Sequence, residues 1–350
     1  MAQANLFDIT PEKEASKLEF LRRQFFGAPP AVSRRDADLS GKAAVITGAN
    51  GGIGMECSRQ LLDLGLSKLI LAVRDEAKGE AARKTLLAAN ALESSQTIEI
   101  WKLDHASYES VVSFAERVEN LSPRLDIAIL NAGVNRGSYV KNPTTGHEEN
   151  LQTNYLSTIL LLLLLLRVFN KAGPPASSPR SSPGRIVIVS SDTAAWAKFE
   201  EKHEIPLLKV INNEAKWDVF HSYAISKLLG QLFVAELVKR VPPSLAIVNC
   251  ANPGLCYGSG VARELGLTTA IFVRAIGRSS AVGARTLVHA VTTLGEKSHG
   301  QYVEDGKLRP MAPFVYSDEA TQTTKQLWTE TLDELSFAGV RDIVEGFNRA

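Results

Sequence analysis

Residues 43–54 read AAVITGANGGIG, a short apolar run followed at once by a glycine-rich turn. The run has the length and composition of a buried strand, and the turn opens a predicted helix. Glycines there let a pyrophosphate approach the backbone, and the helix N-terminus attracts its negative charge. A tight strand-to-helix turn that binds nothing would also use glycines. We predict that a dinucleotide-binding loop is formed by Gly48, Asn50, Gly51, Gly52, Ile53 and Gly54.

Short apolar runs alternate with helical stretches along the rest of the chain, which is typical of repeated βαβ units. The predicted strands are residues 43–47, 68–73, 97–102, 126–131, 185–190 and 244–249, with a short edge strand near 301–303. The predicted helices are residues 52–64, 76–89, 108–120, 147–169, 222–240, 261–276, 280–294 and 318–335. This pattern predicts an α/β fold, a single doubly wound and mostly parallel sheet with helices on both faces.

The composition and charge narrow the class of protein. Of 350 residues, 45% are hydrophobic and 22% charged, as in globular proteins, which argues against a disordered or fibrous chain. Thirty-nine basic residues against thirty-eight acidic ones leave a net charge of +1, so no overall field attracts nucleic acid or anionic lipid. We therefore expect a small-molecule partner and no nucleic acid.

Two regions make up the predicted domain organisation. Residues 1–40 form an N-terminal extension with an amphipathic helix over 13–26, either a docking element or an appendage. No linker divides residues 41–345, which we predict to be one catalytic domain. A connection over 192–220 is too long for a plain strand-to-helix turn, and we expect it to cover the substrate as a lid.

Seven consecutive leucines occupy residues 160–166. The apolar stretch ends at Arg167, short of the roughly 20 residues that a bilayer requires, so we predict a buried or oligomer-face helix and no membrane span. Cys57, Cys250 and Cys256 offer neither a disulfide framework nor a metal pattern. Together with the lack of an evident signal peptide in the printed sequence, this favours a reducing, cytoplasmic location without a metal site.

The ends of the second, third and fourth predicted strands carry candidate cofactor ligands. After the second strand, the Arg74 guanidinium suits the 2′-phosphate of NADP, whereas Asp75 would suit the free ribose of NAD. We favour NADP, although Arg74 could also be a solvated loop residue. Asp104 follows the third strand and could bind the adenine amine. Small residues where a flat ring could lie follow the fourth strand as Asn131, Ala132 and Gly133.

Tyr223 and Lys227 are four residues apart on a predicted helix, so they share one face. A nearby ammonium, joined by an oxidised nicotinamide, would lower the pKa of the phenol toward neutrality and suit it for proton transfer to a carbonyl oxygen. Most such pairs are a half-buried tyrosine beside a solvated lysine. However, Ser191 ends the fifth strand and could stabilise the developing oxyanion. Asn154 lies in the preceding helix and could anchor a water beneath Lys227, or be a surface amide.

Six segments stand in a characteristic order along the chain. They are Thr47-Gly48-x3-Gly52-x-Gly54, Leu130-Asn131-Ala132-Gly133, Asn154, Val189-Ser190-Ser191, Tyr223-x3-Lys227 and Asn252-Pro253-Gly254. As a set they resemble the short-chain dehydrogenase/reductase family over about residues 39–335. The resemblance implies a Rossmann fold and a catalytic group of Asn154, Ser191, Tyr223 and Lys227. It also implies that Pro253 and Gly254 belong to the cofactor site, together with Tyr223 and Lys227.

Further segments are similar to particular branches of that family. Residues 71–79 and the late Leu327-Trp328 helix look like the NADP-preferring retinol-dehydrogenase-like branch, and residues 252–256 like reductases of fungal secondary-metabolite pathways. A hydroxyl residue commonly binds the nicotinamide carboxamide after the Pro-Gly pair. Here Gly258 takes its place and Ser259 follows.

The resemblance implies an NADP(H)-dependent reductase of a lipophilic carbonyl compound, or the reverse alcohol dehydrogenase, acting as a monomer or homodimer. The alternative is a redox-silent protein on the same scaffold, which binds a ligand or catalyses isomerisation or cyclisation. A methyltransferase using S-adenosylmethionine would share a glycine-rich loop but would not need Tyr223 and Lys227.

Overall fold

The computed structural model describes residues 7–89, 93–172, 182–260, 264 and 266–347. Its main sheet has eight strands in the order β10-β9-β6-β5-β4-β1-β2-β3, all parallel except β10. These strands are β1 Ala43–Thr47, β2 Lys68–Val73, β3 Thr97–Lys102, β4 Ile127–Leu130, β5 Gly184–Val189, β6 Ala246–Asn252, β9 Tyr302–Glu304 and β10 Lys307–Arg309; a second, two-stranded sheet pairs β7 Cys256–Tyr257 with β8 Arg278–Ser279. The predicted fold class is confirmed.

Helices surround the sheet. They are α1 Pro11–Glu14, α2 Lys17–Phe26, α3 Gly52–Asp63, α4 Glu76–Ala89, α5 Tyr108–Glu119, α6 Ser157–Ala172, α7 Leu207–Ile211, α8 Val219–Leu237, α9 Gly266–Ile276, α10 Ser280–Val291, α11 Asp318–Glu334 and α12 Val340–Gly346. A π-helical turn, Leu151–Leu156, leads into α6. Of the predicted helix 261–276, residues 261–263 and 265 lie outside the described residues.

Side chains that alternate along β1 enter two different cores. Val45 joins a cluster with α5, α6 and α8, whereas Ala44 and Ile46 join a cluster with α3, α4 and α10. All five residues of β1 are buried, because both faces of a parallel sheet are covered by helices. This explains why the strand reads as a continuous apolar run.

The strand order reverses beside β1. The chain runs outward through β2 and β3, then crosses to β4 on the other side of β1, and continues to β5 and β6. Loops leaving β1 and β4 therefore diverge at the carboxyl edge and open a crevice between them, which is where open α/β sheets bind ligands.

The leucine-rich helix is part of the core. Residues 160–166 are each at most 1% exposed, because α5 and α12 pack around α6 and cover its outer sides. Within the described residues, the helical span Leu151–Lys171 is long and apolar enough to cross a membrane, yet 94% of its most apolar window is buried in the fold. The structure thus places this helix beneath neighbouring parts of its own chain.

The N-terminal amphipathic stretch differs from the single helix expected over 13–26. It breaks at Ala15, and α2 starts afresh because the Ser16 hydroxyl accepts a hydrogen bond from the Glu19 amide. Its orientation is also unexpected, because Arg23 and Gln24 are buried. The apolar side chains on the opposite face are exposed, namely Leu18, Leu21, Phe25 and Phe26.

Some predicted element ends shift by a few residues. Helix α8 begins at Val219, three residues before the predicted start, because the Asp218 carboxylate caps it by accepting from the His221 amide at 2.8 Å. Strand β6 extends to Asn252, where it pairs with β9. The later end brings Asn252 to the carboxyl edge of the sheet.

Truncating Leu163 to alanine should lower the free energy of unfolding by about 2–5 kcal/mol, because it leaves a cavity in a fully buried helix. The matched control is Leu87→Ala on α4, where the side chain is 46% exposed and the loss should stay within about 1 kcal/mol. Urea denaturation followed by circular dichroism measures both. Equal losses would contradict the burial of α6.

Candidate active site

A crevice of about 330 Å³ lies at the carboxyl ends of β1 and β4. Most of the predicted cofactor-binding residues line it, namely Gly48, Asn50, Gly51, Gly52, Ile53, Arg74, Asp104, Asn131, Ala132 and Gly133. Residues from four different strand ends therefore face one space. Because the sheet brings them together, their convergence depends on the topology described above.

The glycine-rich loop has a shape that side chains would disrupt. Gly48 and Gly52 have φ angles of 65° and 54°, in the left-handed region that favours glycine. A Cβ on Gly54 would lie 2.7 Å from the Gly48 carbonyl oxygen. Helix α3 starts at Gly52 without a side-chain cap, so its first N–H groups are available at the crevice. These features fit the pyrophosphate of a dinucleotide.

The ends of β1 and β4 are joined by two side chains. The Asn131 side-chain amide donates to the Thr47 carbonyl oxygen at 2.9 Å, and the Thr47 hydroxyl accepts from the Ala132 amide at 2.8 Å. These bonds hold the floor of the crevice in one conformation. The backbone of Ala132 and Gly133 is thereby held along the wall where a flat ring was predicted to lie.

Arg74 and Asp75 differ in their surroundings. Asp75 caps α4, since its carboxylate accepts from the Lys78 amide at 3.1 Å and pairs with the Lys78 ammonium at 3.3 Å. The backbone hydrogen bond lowers the pKa of Asp75, so the carboxylate is ionised and engaged within its own turn. Arg74 is exposed at the crevice rim. Both residues line the crevice, and of the two it is Asp75 whose carboxylate is already engaged within its own turn.

Asp104 and His105 follow β3 and line the crevice. The Asp104 carboxylate accepts a hydrogen bond from the Ala106 amide at 3.0 Å, which shapes its own turn. Sequence reasoning missed His105, which lines the same space. Burial lowers the pKa of His105 to about 4, so its imidazole is neutral at physiological pH. Its position directly after a predicted ligand was the available signal.

Tyr223 and Ser191 meet at the carboxyl edge of β5. Ser191 lies beside the Tyr223 phenol and acts to lower its pKa, and Tyr223 stays partly exposed. Burial of the hydroxyl outweighs this effect and raises the pKa of Tyr223 to about 12. The lowering expected from Lys227 together with an oxidised nicotinamide stays a prediction for the cofactor-bound state, since burial alone sets this direction here.

Lys227 lies one helical turn below Tyr223 and is 7% exposed. Its ammonium donates to the Val189 carbonyl oxygen at 2.9 Å and lies 5.7 Å from the centre of the Tyr223 ring. Burial lowers the pKa of Lys227 to about 8. The ammonium is thus buried and directed at the end of β5. It differs in this from the solvated lysine that most tyrosine–lysine pairs of this spacing contain.

Asn154 occupies the π-helical turn before α6, an irregularity that often occurs at functional sites. Its side-chain oxygen accepts from the Val134 amide at 2.8 Å, and its amide group donates to the Val134 carbonyl and the Ser226 hydroxyl. A Cβ built on Gly133 would lie 3.1 Å from the Asn154 oxygen and 3.6 Å from the Lys227 ammonium. Glycine at 133 therefore leaves room for both groups.

The loop after β6 folds over the glycine-rich turn. Gly254 has a φ of 73°, and its amide donates to the Asn252 side chain at 2.9 Å. A Cβ on Gly52 would lie 3.1 Å from the Ser259 Cα, so this loop closes one side of the crevice. The Ser259 hydroxyl donates to the Cys256 carbonyl at 2.9 Å. Ser259 therefore lines the crevice with its hydroxyl already engaged.

The aromatic residues of the segment 192–220 do not form one apolar cover. Phe199 is buried and packs edge-on against Phe314, 5.2 Å between ring centres. Trp217 donates to the Glu148 carboxylate at 3.2 Å, whereas Phe220 is 49% exposed. Trp196 contacts the N-terminal segment. These residues therefore have separate partners around the mouth of the site.

Arg136 is a second residue that sequence reasoning missed. It lies three residues after Gly133 on the crevice wall and pairs with Glu149 and Glu264. Glu264 belongs to the segment between β6 and α9, so Arg136 joins opposite sides of the crevice. No sequence spacing indicated this pair, since Arg136 and Glu264 come from distant strand ends.

A model of the short chain dehydrogenase family matches residues 42–201. A short-chain dehydrogenase of Aspergillus ruber, fogG, is 49% identical over 98% of this chain and 99% of its own. A short chain dehydrogenase/reductase of Annulohypoxylon moriforme, mfmJ, is 42% identical over 93% of this chain and 94% of its own. The fold also matches a chain of Escherichia coli CFT073 described as a short chain dehydrogenase and complexed with NADPH, with a TM-score of 0.56 and 19% identity over 77% of this chain and 98% of that one.

We expect Lys227 to titrate with a midpoint at about pH 8, because burial disfavours its charged form. NMR of protein labelled with ¹³C at the lysine Cε measures the titration. The Lys227→Arg variant assigns the signal by its disappearance. A midpoint at the ordinary lysine value of about 10 would contradict the buried position.

Proposed function

This chain belongs to the short chain dehydrogenase family of oxidoreductases, and on that premise we propose that it is an NADPH-dependent reductase of a lipophilic carbonyl compound. The observation that carries the proposal is the meeting of the Ser191 side chain and the Tyr223 phenol beside the buried Lys227 ammonium. These three groups lie at the carboxyl edge of β5, next to a crevice whose glycine-rich end fits a dinucleotide.

The proposed reaction adds two electrons and two hydrogens to the carbonyl group. When bound in the crevice, NADPH would supply a hydride to the carbonyl carbon. Tyr223 gives its phenolic proton to the carbonyl oxygen, so that an alcohol forms. A pKa of about 12 keeps Tyr223 protonated at neutral pH, which is the state that a proton donor requires.

Ser191 and Lys227 have different proposed roles. The Ser191 hydroxyl can share a hydrogen bond between the Tyr223 phenol and the substrate oxygen as negative charge develops there. Lys227 would hold the nicotinamide ribose. It would also return a proton to the Tyr223 phenolate after proton transfer, because it lies one turn away on α8. Asn154 is proposed to hold the wall around Gly133 in place. Its side chain accepts a hydrogen bond from the Val134 amide and donates one to the Val134 carbonyl oxygen.

The preference for NADPH rests on the rim of the crevice. Arg74 is exposed there, and Asp75, the rival ligand for a free ribose, is engaged as the cap of α4. A guanidinium binds a 2′-phosphate with charge-assisted hydrogen bonds. The structural neighbour from Escherichia coli was solved with NADPH, which agrees with this assignment.

Our proposal also covers the substrate, the cellular compartment and the oligomeric state. The resemblance at residues 252–256 supports a secondary-metabolite intermediate as substrate, bound beneath the segment 192–220 of one catalytic domain, residues 41–345. Pro253 and Gly254 would lie beside the nicotinamide. The free, buried Cys57, Cys250 and Cys256 suit a reducing compartment, so we propose a cytoplasmic monomer or homodimer.

Replacing Tyr223 with phenylalanine should lower kcat by at least about 100-fold, because the substrate oxygen loses its proton donor. NADPH affinity should stay within about 3-fold, since the phenol hydroxyl is not proposed to bind the phosphates. The assay follows NADPH consumption with a panel of aliphatic and aromatic aldehydes and ketones. Tyr316→Phe is the control, because the Tyr316 hydroxyl bonds the Met311 amide instead of lining the crevice.

The same assay separates the proposal from its alternative. Full turnover in Tyr223→Phe would remove the proposed proton donor. Tight NADPH binding without turnover of any carbonyl by the unaltered protein would favour the redox-silent protein on the same scaffold.

Replacing Arg74 with alanine should weaken NADPH binding by at least about 10-fold and NADH binding by less than about 2-fold, because only NADPH carries the 2′-phosphate. Isothermal titration calorimetry measures both dissociation constants. Arg83→Ala on α4 is the matched control, since Arg83 pairs with Glu80 and does not line the crevice. Equal losses for the two cofactors would refute the assignment of Arg74.

A further inference from the structure

The N-terminal helix α2 directs a charged residue into the protein. Arg23 is 4% exposed in its side chain and pairs with three carboxylates: Glu14 at 2.9 Å, Asp192 at 2.6 Å and Glu304 at 3.1 Å. These partners come from α1, from the turn after β5 and from β9. Arg23 is thus the point where the extension before residue 41 meets the carboxyl edge of the sheet.

Asp192, which pairs with Arg23, directly follows Ser191 in the chain. One Asp192 oxygen accepts from Arg23, and the other accepts from the Asn252 side-chain amide at 2.8 Å. With both oxygens bonded, the carboxylate has a defined orientation. The side chain of the residue that directly follows Ser191 is therefore held from two directions.

The far end of the same turn is also held by the extension. The Trp196 indole donates to the Ala15 carbonyl at 2.7 Å, and its ring lies edge-on to Phe20 with 5.2 Å between centres. The turn Asp192–Trp196 is capped by Ser191, whose hydroxyl accepts from the Thr193 amide. Both ends of a turn that begins at the proposed catalytic serine are thus fixed by residues before 27.

A second contact joins α2 to the loop after β6. The Gln24 side chain donates to the Leu255 carbonyl at 2.7 Å and accepts from the Leu255 amide at 3.1 Å. Asn252, already bonded to Asp192, also donates to Glu304 and accepts from the Gly254 amide. The loop proposed to lie beside the nicotinamide is therefore tied to the same network as Asp192.

Burying Arg23 among carboxylates is a costly way to attach a helix. Desolvating several charges offsets most of their mutual attraction, so apolar side chains would attach α2 equally well. Charged hydrogen bonds differ from apolar contacts in that they fix directions. Four of the five apolar side chains of α2, meanwhile, lie exposed, and only Phe20 packs inward, against Trp196. The contacts of α2 thus indicate that this helix orients neighbouring side chains rather than simply attaching the extension to the domain.

We propose that Arg23 is a positioning residue of the active site, which acts through Asp192 to hold the Ser191 hydroxyl against the Tyr223 phenol. This inference rests on the proposed function, because it assigns Ser191 to the reaction. The extension of residues 1–40 is then part of the catalytic unit and more than an appendage.

The test compares two substitutions of Arg23 with the same lysine change at Arg22. Arg23→Lys keeps one positive charge but cannot reproduce the contacts of the guanidinium, a hydrogen bond to Asp192 and ion pairs with Glu14 and Glu304. Arg23→Met with Glu304→Gln removes the guanidinium together with one of its carboxylate partners, whose pKa burial raises well above its ordinary value. Arg22→Lys is the matched control, because Arg22 is the neighbouring residue of α2, is 58% exposed and, among the described residues, pairs with Glu19 of its own helix.

The measurement is reduction of decanal or benzaldehyde by NADPH, whichever the unaltered protein turns over. Both Arg23 variants should lose at least about 10-fold in kcat, since misplacing a catalytic group by about 1 Å has a large effect on rate. KM and the NADPH dissociation constant should change by less than about 3-fold. Arg22→Lys should match the unaltered protein in all three quantities.

A double-mutant cycle shows whether Arg23 acts through Ser191. In a Ser191→Ala background, Arg23→Lys should lower kcat by less than about 2-fold, because the group that Arg23 holds is already gone. An equal loss with and without Ser191 would overturn the proposal. So would a folded Arg23→Lys variant with unaltered kcat.

Stability is measured on each variant by thermal denaturation. If no Arg23 variant folds, Arg23 is a stability residue and the positioning role is refuted. If the unaltered protein reduces neither aldehyde nor any other carbonyl with NADPH, the proposed function fails first, which is a distinct result.

Discussion

The reversal of strand order between β1 and β4 is the constraint on which the site depends. Loops that leave neighbouring strands toward opposite sides must open a gap, and that gap is the crevice. The backbone of Gly48 and Gly52 adopts left-handed angles to face it. Asn131 then bonds the two strand ends together, so the gap stays open at a fixed width. Everything proposed about dinucleotide binding follows from this geometry.

Burial changes both members of the Tyr223–Lys227 pair in the direction of the uncharged state. The pKa of Tyr223 is raised to about 12 and that of Lys227 lowered to about 8. A phenol that holds its proton is a donor, and an amine that titrates near neutrality can return one. The low dielectric of the site therefore keeps the phenol in its acid form.

Much of the fold could be predicted from the sequence, because buried parallel strands are local apolar runs. The limits of β1, β2, β3 and α4 match the prediction to the residue. The facing direction of α2 could not be predicted, since its apolar residues indicate burial of the face that lies exposed. The buried face of α2 is determined instead by the ion pairs of Arg23 with Glu304 and Asp192. These two residues come from strand ends far along the chain. The side-chain partners of Arg136 could not be predicted from the sequence for the same reason.

Within the candidate site, residue identity was predictable but electrostatic state was not. The ordered segments around Tyr223, Lys227, Ser191 and Asn154 indicate which groups meet, because strand ends and helix faces follow from periodicity. The pKa of a phenol depends instead on how much water its surroundings exclude, and that depends on the whole fold. The same holds for Arg23. Its charge is apparent from the sequence, but only the packing of α2 onto the turn after Ser191 makes that charge a means of orienting a catalytic group.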